Sequence, residues 1–217
     1  MARLKTGVLI SGRGTNLAAL LDACADAKFP AEIALVISNK PDAAGLERAK
    51  SAGCATTVIE HGDFPDRRAF DEAMGAALED AGVELVCLAG FMRILSDAFV
   101  ERWRDRIINI HPSLLPAFKG LEAQAQALAA GVRISGCTVH FVRPVMDSGP
   151  IIVQAAVPVL AGDDAETLAA RVLEAEHRIY PLALSLIAEG RVRIEGEAVA
   201  IDGARAAAGL LVNPGGS

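Results

Sequence analysis

The chain has 217 residues, 52% of them hydrophobic, 22% charged and only 4% aromatic. That composition excludes a disordered chain and gives enough length to bury the core of one large domain. A net charge of −6 and a pI near 5.3 argue against generic nucleic-acid binding, and no apolar run approaches membrane-spanning length.

With aromatics scarce, the core must be built from Ala, Val, Leu and Ile, which suits a parallel sheet covered by helices. Leu4 to Ile10 reads as a buried strand, and the helical spacing of Leu17, Leu20, Leu21 and Cys24 predicts a helix over Asn16–Cys24. Strands are expected at Ile33–Ser38, Thr56–Ile59 and Val83–Ala89. Helices are expected at Ala43–Ala52 and Arg67–Ala81, closed by Gly53 and Gly82. This alternation implies an α/β, doubly wound, parallel sheet with right-handed crossovers.

The second half changes character. A short helix over Asp97–Trp103 leads to a strand at Ile107–Ile110, and a further helix spans Glu122–Ala130. Cys137–Val142 and Ile151–Val159 are two strands with no helix between them, so the later strands should pair antiparallel. A long helix over Asp164–Ala188 sets Leu168, Val172, Ala175, Ile179, Leu182 and Leu186 on one face, with Pro181 expected to kink or interrupt it. Val192–Ile201 reads as a terminal hairpin. We expect one domain over 1–217: a phosphate-binding half to about residue 100, a catalytic half to about 203, and a frayed tail over 204–217.

Cys24, Cys54, Cys87 and Cys137 form no CxxC pair and read as reduced, buried thiols of a cytoplasmic protein. No metal-ligand pattern is visible among the cysteines and histidines. Ser11-Gly12-Arg13-Gly14 breaks the N-terminal apolar run too soon for a signal peptide.

The strongest chemical signal is Asn109-Ile110-His111-Pro112-Ser113-Leu114-Leu115-Pro116, with Asp147 following in Met146-Asp147-Ser148-Gly149-Pro150. Alternation along a strand points Asn109 and His111 to the same side, and Pro112 ends the ladder. An amide, an imidazole and a carboxylate at a strand exit can polarise a carbonyl, move a proton and orient the proton carrier. The plainer reading is a hydrogen-bonded pair capping the sheet edge, with Asp147 a turn residue.

Other segments leave two readings open. Ser11-Gly12-Arg13-Gly14-Thr15-Asn16 is either a single-phosphate loop or a tight turn with Thr15 or Asn16 capping the helix, because both the dinucleotide fingerprint and the P-loop lysine are missing. Gly90-Phe91-Met92-Arg93-Ile94-Leu95 lines a pocket for a flat ligand or plugs the core. Glu176 accepts from a sugar hydroxyl or is a surface charge. His61 and His140 read as structural or solvated.

Taken in order, Ile10–Leu17, Ser38-Asn39-Lys40, Leu88–Leu95, Asn109–Pro116 and Asp147–Pro150 resemble the glycinamide ribonucleotide formyltransferase family, folate-dependent enzymes of purine synthesis, over residues 4 to 203. The resemblance implies a Rossmann-like formyltransferase fold: mostly parallel, with antiparallel C-terminal strands and helices on both faces. It implies direct attack of the glycinamide ribonucleotide amine on the formyl group of 10-formyltetrahydrofolate, with no metal. Asn109 and His111 would stabilise the oxyanion of the tetrahedral intermediate, and Asp147 would orient His111 and order a proton-carrying water. Gly14, Thr15 and Asn16 would bind the ribonucleotide phosphate, and Glu176 its ribose. The pterin would lie against Met92, Arg93, Ile94 and Leu95, beside Asn109, and against Arg143, Pro144, Val145, Met146 and Asp147; Arg67 and Arg93 would face the benzoylglutamate.

Three positions depart from the family. Glu122 and Gln124 stand where relatives often carry histidine, and Leu173 stands where a long polar residue often helps the phosphate, a role Arg13 can take over. The resemblance implies a monomer or weak homodimer with small-molecule substrates, no nucleic acid and no membrane. Methionyl-tRNA formyltransferase and formyltetrahydrofolate hydrolase are the rival enzymes, and a non-catalytic nucleotide-binding module is the rival from another class.

Overall fold

The computed structural model describes residues 2–204, 209 and 211–214. A seven-stranded sheet contains β1 (Leu4–Ile10), β2 (Ala31–Ser38), β3 (Thr56–Val58), β4 (Leu85–Leu88), β5 (Ile107–His111), β6 (Ile134–Phe141) and β7 (Ile151–Pro158). Their order is β3-β2-β1-β4-β5-β6-β7. The first five strands run parallel, and β6 is antiparallel to both β5 and β7. The antiparallel switch follows from the chain itself, because the turn between β6 and β7 is too short for a crossover helix. β8 (Val192–Glu195) and β9 (Ala198–Ile201) form a separate antiparallel hairpin, as the sequence predicts.

Strand order departs from β1 in both directions, so a switch point lies between β1 and β4. In an open α/β sheet a ligand crevice forms there, at the carboxyl ends of the strands. The Gly12–Gly14 loop and the Gly90–Leu95 segment are the exits of these two strands.

Helices cover both faces. On one face α1 (Thr15–Ala25), α2 (Ala44–Ser51), α5 (Ala123–Ala129) and α6 (Ala165–Ala188) pack on Val8, Ile10, Val36, Cys87, Ile108 and Ile110. On the other, α3 (Arg67–Asp80) and α4 (Asp97–Arg102) pack on Leu9, Ile37, Val86, Leu88 and Ile107. Alternate residues of each strand thus enter different clusters, the period of two that a doubly covered strand requires. The buried Tyr180 of α6 places its hydroxyl 2.9 Å from Leu88 O and 3.3 Å from Ile108 O, tying the helix to the end of β4 and the first half of β5.

Several expectations need correction. α1 starts at Thr15 with Gly14 as its N-cap, and neither Thr15 nor Asn16 caps it. Gly14 adopts φ 69°, and a Cβ there would lie 2.6 Å from the Cα of Gly45, so a bare backbone is required. α6 runs through Pro181 without interruption. Its buried stripe on both sides of that residue holds the helix together despite the missing N–H. The stripe also differs from the predicted one. Leu182 is 48% exposed, and Glu176, Tyr180, Ala183 and Leu184 are buried in its stead. The expected frayed tail falls partly outside the described residues; within them, Asn213 donates to Arg133 O at 2.6 Å and Val159 O at 2.7 Å. Cys87 and Cys137 are buried, but Cys24 and Cys54 are only half-buried, all four with free thiols.

Candidate active site

β5 delivers Asn109 and His111 to one side of the sheet, the side of Ile107, while Ile108 and Ile110 anchor the strand on the α6 face. His111 is buried, with Nδ1 3.5 Å from Asp147 Oδ1 and Nε2 2.9 Å from the carbonyl of Phe118. Both ring nitrogens therefore face oxygen acceptors, a pattern fully satisfied when each carries a proton. The other carboxylate oxygen of Asp147 accepts from Gly120 N at 2.7 Å. Asp147 itself sits at φ 47°, a left-handed conformation that Asp tolerates better than most residues. The turn Asp147-Ser148-Gly149 lies tight on the end of β6: a Cβ on Gly149 would fall 2.4 Å from Phe141 O.

His140, read from the sequence as structural or solvated, is buried in the cavity lining. His140 pairs directly with Asn109 across β5 and β6, and its Nε2 lies 3.4 Å from Asn109 Nδ2. Its Nδ1 lies 2.9 Å from Phe141 O and 3.2 Å from Ser148 O, so Nδ1 carries the proton and Nε2 accepts. Burial holds the His140 pKa below the usual imidazole value, although hydrogen bonds to Phe141 and the charge of Asp147 pull it back. A neutral acceptor thereby orients the Asn109 amide, leaving its second N–H free for an oxyanion. The signal in the sequence is a histidine between the apolar Val139 and Phe141; its meaning depends on cross-strand register.

These groups form one wall of a cavity of about 390 Å³ lined by residues that include Leu88, Met92, Ile94, Val142, Pro144 and Met146. Met92, Ile94 and Met146 are more than half exposed, a row of apolar side chains in solvent beside the polar Asn109, His111 and Asp147. Exposed apolar side chains beside convergent polar groups are what a ligand cleft carries. Leu95 is buried and Phe91 packs on the core, so the segment does both things its sequence allowed.

On the α1 side, Asn16 Nδ2 donates to Glu176 Oε2 at 2.7 Å, and both residues are buried. Burial raises the Glu176 pKa, and the Asn16 hydrogen bond opposes that rise. Asn16 Oδ1 is buried without a partner. The first turn of α1 lacks a side-chain cap, so its backbone N–H groups are available to an anion. Ser11 joins this loop to the cavity: its hydroxyl donates to Asn39 Oδ1 at 2.5 Å and accepts from Met92 N at 2.8 Å.

Residues 4–184 match the formyl transferase family. The chain belongs to the formyl transferase family. The phosphoribosylglycinamide formyltransferase of Escherichia coli (strain K12) is 48% identical over 198 residues, covering 91% of this chain and 93% of the relative. The trifunctional purine biosynthetic protein adenosine-3 of Gallus gallus is 55% identical over 90% of this chain, which spans only 19% of that longer protein. The crystal structure of glycinamide ribonucleotide transformylase 1 from Symbiobacterium toebii superposes with a TM-score of 0.90 at 55% identity, covering 92% of this chain and 94% of the other.

Not every expected site residue of this formyl transferase meets the cavity. Asn109, His111, Met92, Arg93, Ile94, Leu95, Arg143, Pro144, Met146 and Asp147 line it, but Arg67 and Val145 are exposed and do not. The guanidinium of Arg143 is taken up by Asp105 and Glu197. Gly14, Thr15, Asn16 and Glu176 lie outside the cavity lining, around the start of α1. Glu122 and Gln124 do line the cavity; Glu122 is exposed at φ 56°, and Gln124 donates to Pro112 O at 3.4 Å. Leu173 is half-buried on α6 and Arg13 is exposed, with its carbonyl accepting from Arg48 Nε. Among the described residues no group of three or more His, Cys, Asp or Glu is placed to hold a metal, and no helix is long and apolar enough to cross a membrane.

Proposed function

We propose that this formyl transferase moves the formyl group of 10-formyltetrahydrofolate to the amine of glycinamide ribonucleotide. The observation that carries the reading is the meeting of Asn109, His111 and Asp147 on one cavity wall, with Nδ1 of His111 within ion-pair distance of the carboxylate. The relatives' names point to the same chemistry.

The apolar row of Met92, Ile94 and Met146 would hold the pterin, with Arg93 toward the glutamate end. The Gly14–Asn16 loop would take the ribonucleotide phosphate, and Glu176 the ribose hydroxyls. When the amine attacks the formyl carbon, negative charge develops on the formyl oxygen. The free N–H of Asn109 donates to it, a contact worth about a hundredfold to a thousandfold in rate, and the ring of His111 does so once its Nε2 turns from Phe118 O. Asp147 holds His111 in place and orders the water that carries the proton from the attacking amine to the leaving folate nitrogen. The amine attacks the formyl carbon directly, so no covalent enzyme intermediate is needed.

A spectrophotometric assay for folate release, with and without glycinamide ribonucleotide, tests this. Release only with the ribonucleotide is expected. Release without it would make the protein a hydrolase, release dependent on methionyl-tRNA would make it that transferase, and no release in any case would leave only a binding module.

A further inference from the structure

Arg143 opens the segment that ends in Asp147, yet its guanidinium is spoken for elsewhere. It is 8% exposed, with Nη2 2.8 Å from Asp105 Oδ1 and Nε 3.4 Å from Glu197 Oε2. Nη1 donates to the carbonyl of Val142 at 3.2 Å. A charge this buried persists only with such partners, because losing one leaves it uncompensated. Each partner belongs to a different part of the chain. Asp105 occupies the turn before β5, at φ 60°, two residues ahead of the strand that carries Asn109 and His111. Glu197 is in the turn between β8 and β9, outside the main sheet. The stem of Arg143 also supports the turn after Asp147, since a Cβ on Gly149 would lie 2.8 Å from Arg143 Cγ.

We propose that Arg143 is a positioning residue through which the β8–β9 hairpin and the β5 entry turn jointly fix the 143–149 segment, and with it the Asp147 carboxylate against His111. One hydrogen bond, to Val142 O, and ion pairs with Asp105 and Glu197 hold the guanidinium, while its buried Nε makes no hydrogen bond. Gly149 seated on its stem then transmits that restraint to the backbone beside Asp147. A planar fork meets two carboxylates in different directions, which a lysine ammonium on a flexible stem does not reproduce. This role rests on the formyl-transfer reading for its kinetic consequences, but not for its structural ones.

The test compares Arg143→Met, Arg143→Lys and Glu197→Gln with the full wild-type chain. In Arg143→Met the KM for 10-formyltetrahydrofolate should rise and kcat should fall, each by about tenfold, the scale on which small misplacements of catalytic groups act. The KM for glycinamide ribonucleotide should stay within about twofold, because the Gly14–Asn16 loop is on other elements. Arg143→Lys and Glu197→Gln should fall between the two. Amide hydrogen exchange followed by mass spectrometry reads the same restraint without substrate: residues 143–149 should exchange faster in Arg143→Met, and residues 12–25 at the wild-type rate. Wild-type kinetics and exchange in Arg143→Met would overturn the proposal. So would a rise of both KM values with faster exchange throughout, which marks a general loss of stability. A wild-type chain inactive with both substrates would overturn the formyl-transfer reading instead, and the exchange comparison would still decide this one.

Discussion

Nε2 of His140 receives the Asn109 amide from the directly opposite strand, at 3.4 Å, and so fixes which way that amide presents its remaining N–H. Burial keeps the His140 pKa low, so the ring is neutral and can accept. As pH falls through that lowered value the ring gains a proton, Nε2 becomes a donor, and the contact with Asn109 turns repulsive. His140→Ala should lower kcat by about 10–100-fold with little change in either KM, the usual cost of losing a residue that orients a site group. His140→Gln retains an acceptor and should recover part of the rate while losing whatever acid limb His140 contributes to the pH profile. An Ala variant with wild-type kcat would dismiss this role.

Asp147→Asn keeps an oxygen for Gly120 N but removes the charge beside His111. We expect kcat to fall about a hundredfold or more, the range of general acid–base contributions, with the folate KM close to wild type. Steady-state kinetics under saturation with both substrates checks this, and full activity would reject the proton path through Asp147.

Glu176 gives a prediction in which stability and affinity move apart. Its carboxyl is a weaker acid in the folded protein than in the unfolded chain, because burial disfavours the charge. Above the unfolded value the unfolded state has fewer protons bound, so the contribution of Glu176 to stability is full at low pH and is lost as pH rises through the folded value. Glu176→Gln removes that loss. At neutral pH the variant should melt at the wild-type temperature or up to about 3 °C higher, the size of shift that about 1 kcal/mol produces in a chain of this length. The advantage should vanish in acid. The ribonucleotide KM should nevertheless rise. Thermal melts across pH, alongside KM measurements, test both halves; a variant that loses stability relative to wild type at neutral pH more than in acid would contradict the sign.

Gly14→Ala should be costly in two ways. The residue has φ 69°, and the added methyl would lie 2.6 Å from Gly45 Cα. Left-handed strain alone costs about 1–2 kcal/mol, and the clash adds to it. Denaturant titration should show at least that loss. The ribonucleotide KM should increase while the folate KM holds, since Gly14 lies outside the cavity lining. Equal effects on both KM values would mean the loop does not serve the ribonucleotide separately.

Much of this molecule was legible in its sequence because the relevant signals are local. Buried apolar runs and the glycine stops placed β1, β2 and α3, and the missing helix between β6 and β7 announced the antiparallel edge. Asn109 and His111 were visible as a pair because two residues on one strand face need no tertiary knowledge. What escaped depends on distant partners. His140 acquires meaning only from its register with β5. The resemblance sets Arg143 against the pterin, and it does line the cavity, but its ion pairs with Asp105 and Glu197 come from turns far along the chain. The stripe of α6 was drawn through the apolar Leu182, which is exposed, while Tyr180 and Leu184 are buried in its stead.

The hydroxyl of Ser11 bonds Asn39 on one side and Met92 N on the other, and so makes the two halves of the crevice heirs to each other's changes. An inhibitor shaped for the row of Met92 and Ile94 presses on a backbone anchored at the exit of β1. Substitutions that reshape that row to escape such a compound pull on the loop that begins with Ser11. Resistance gained at one end of the crevice would then tend to be felt at the other, and Ser11 is the residue an engineer retuning either half should leave alone.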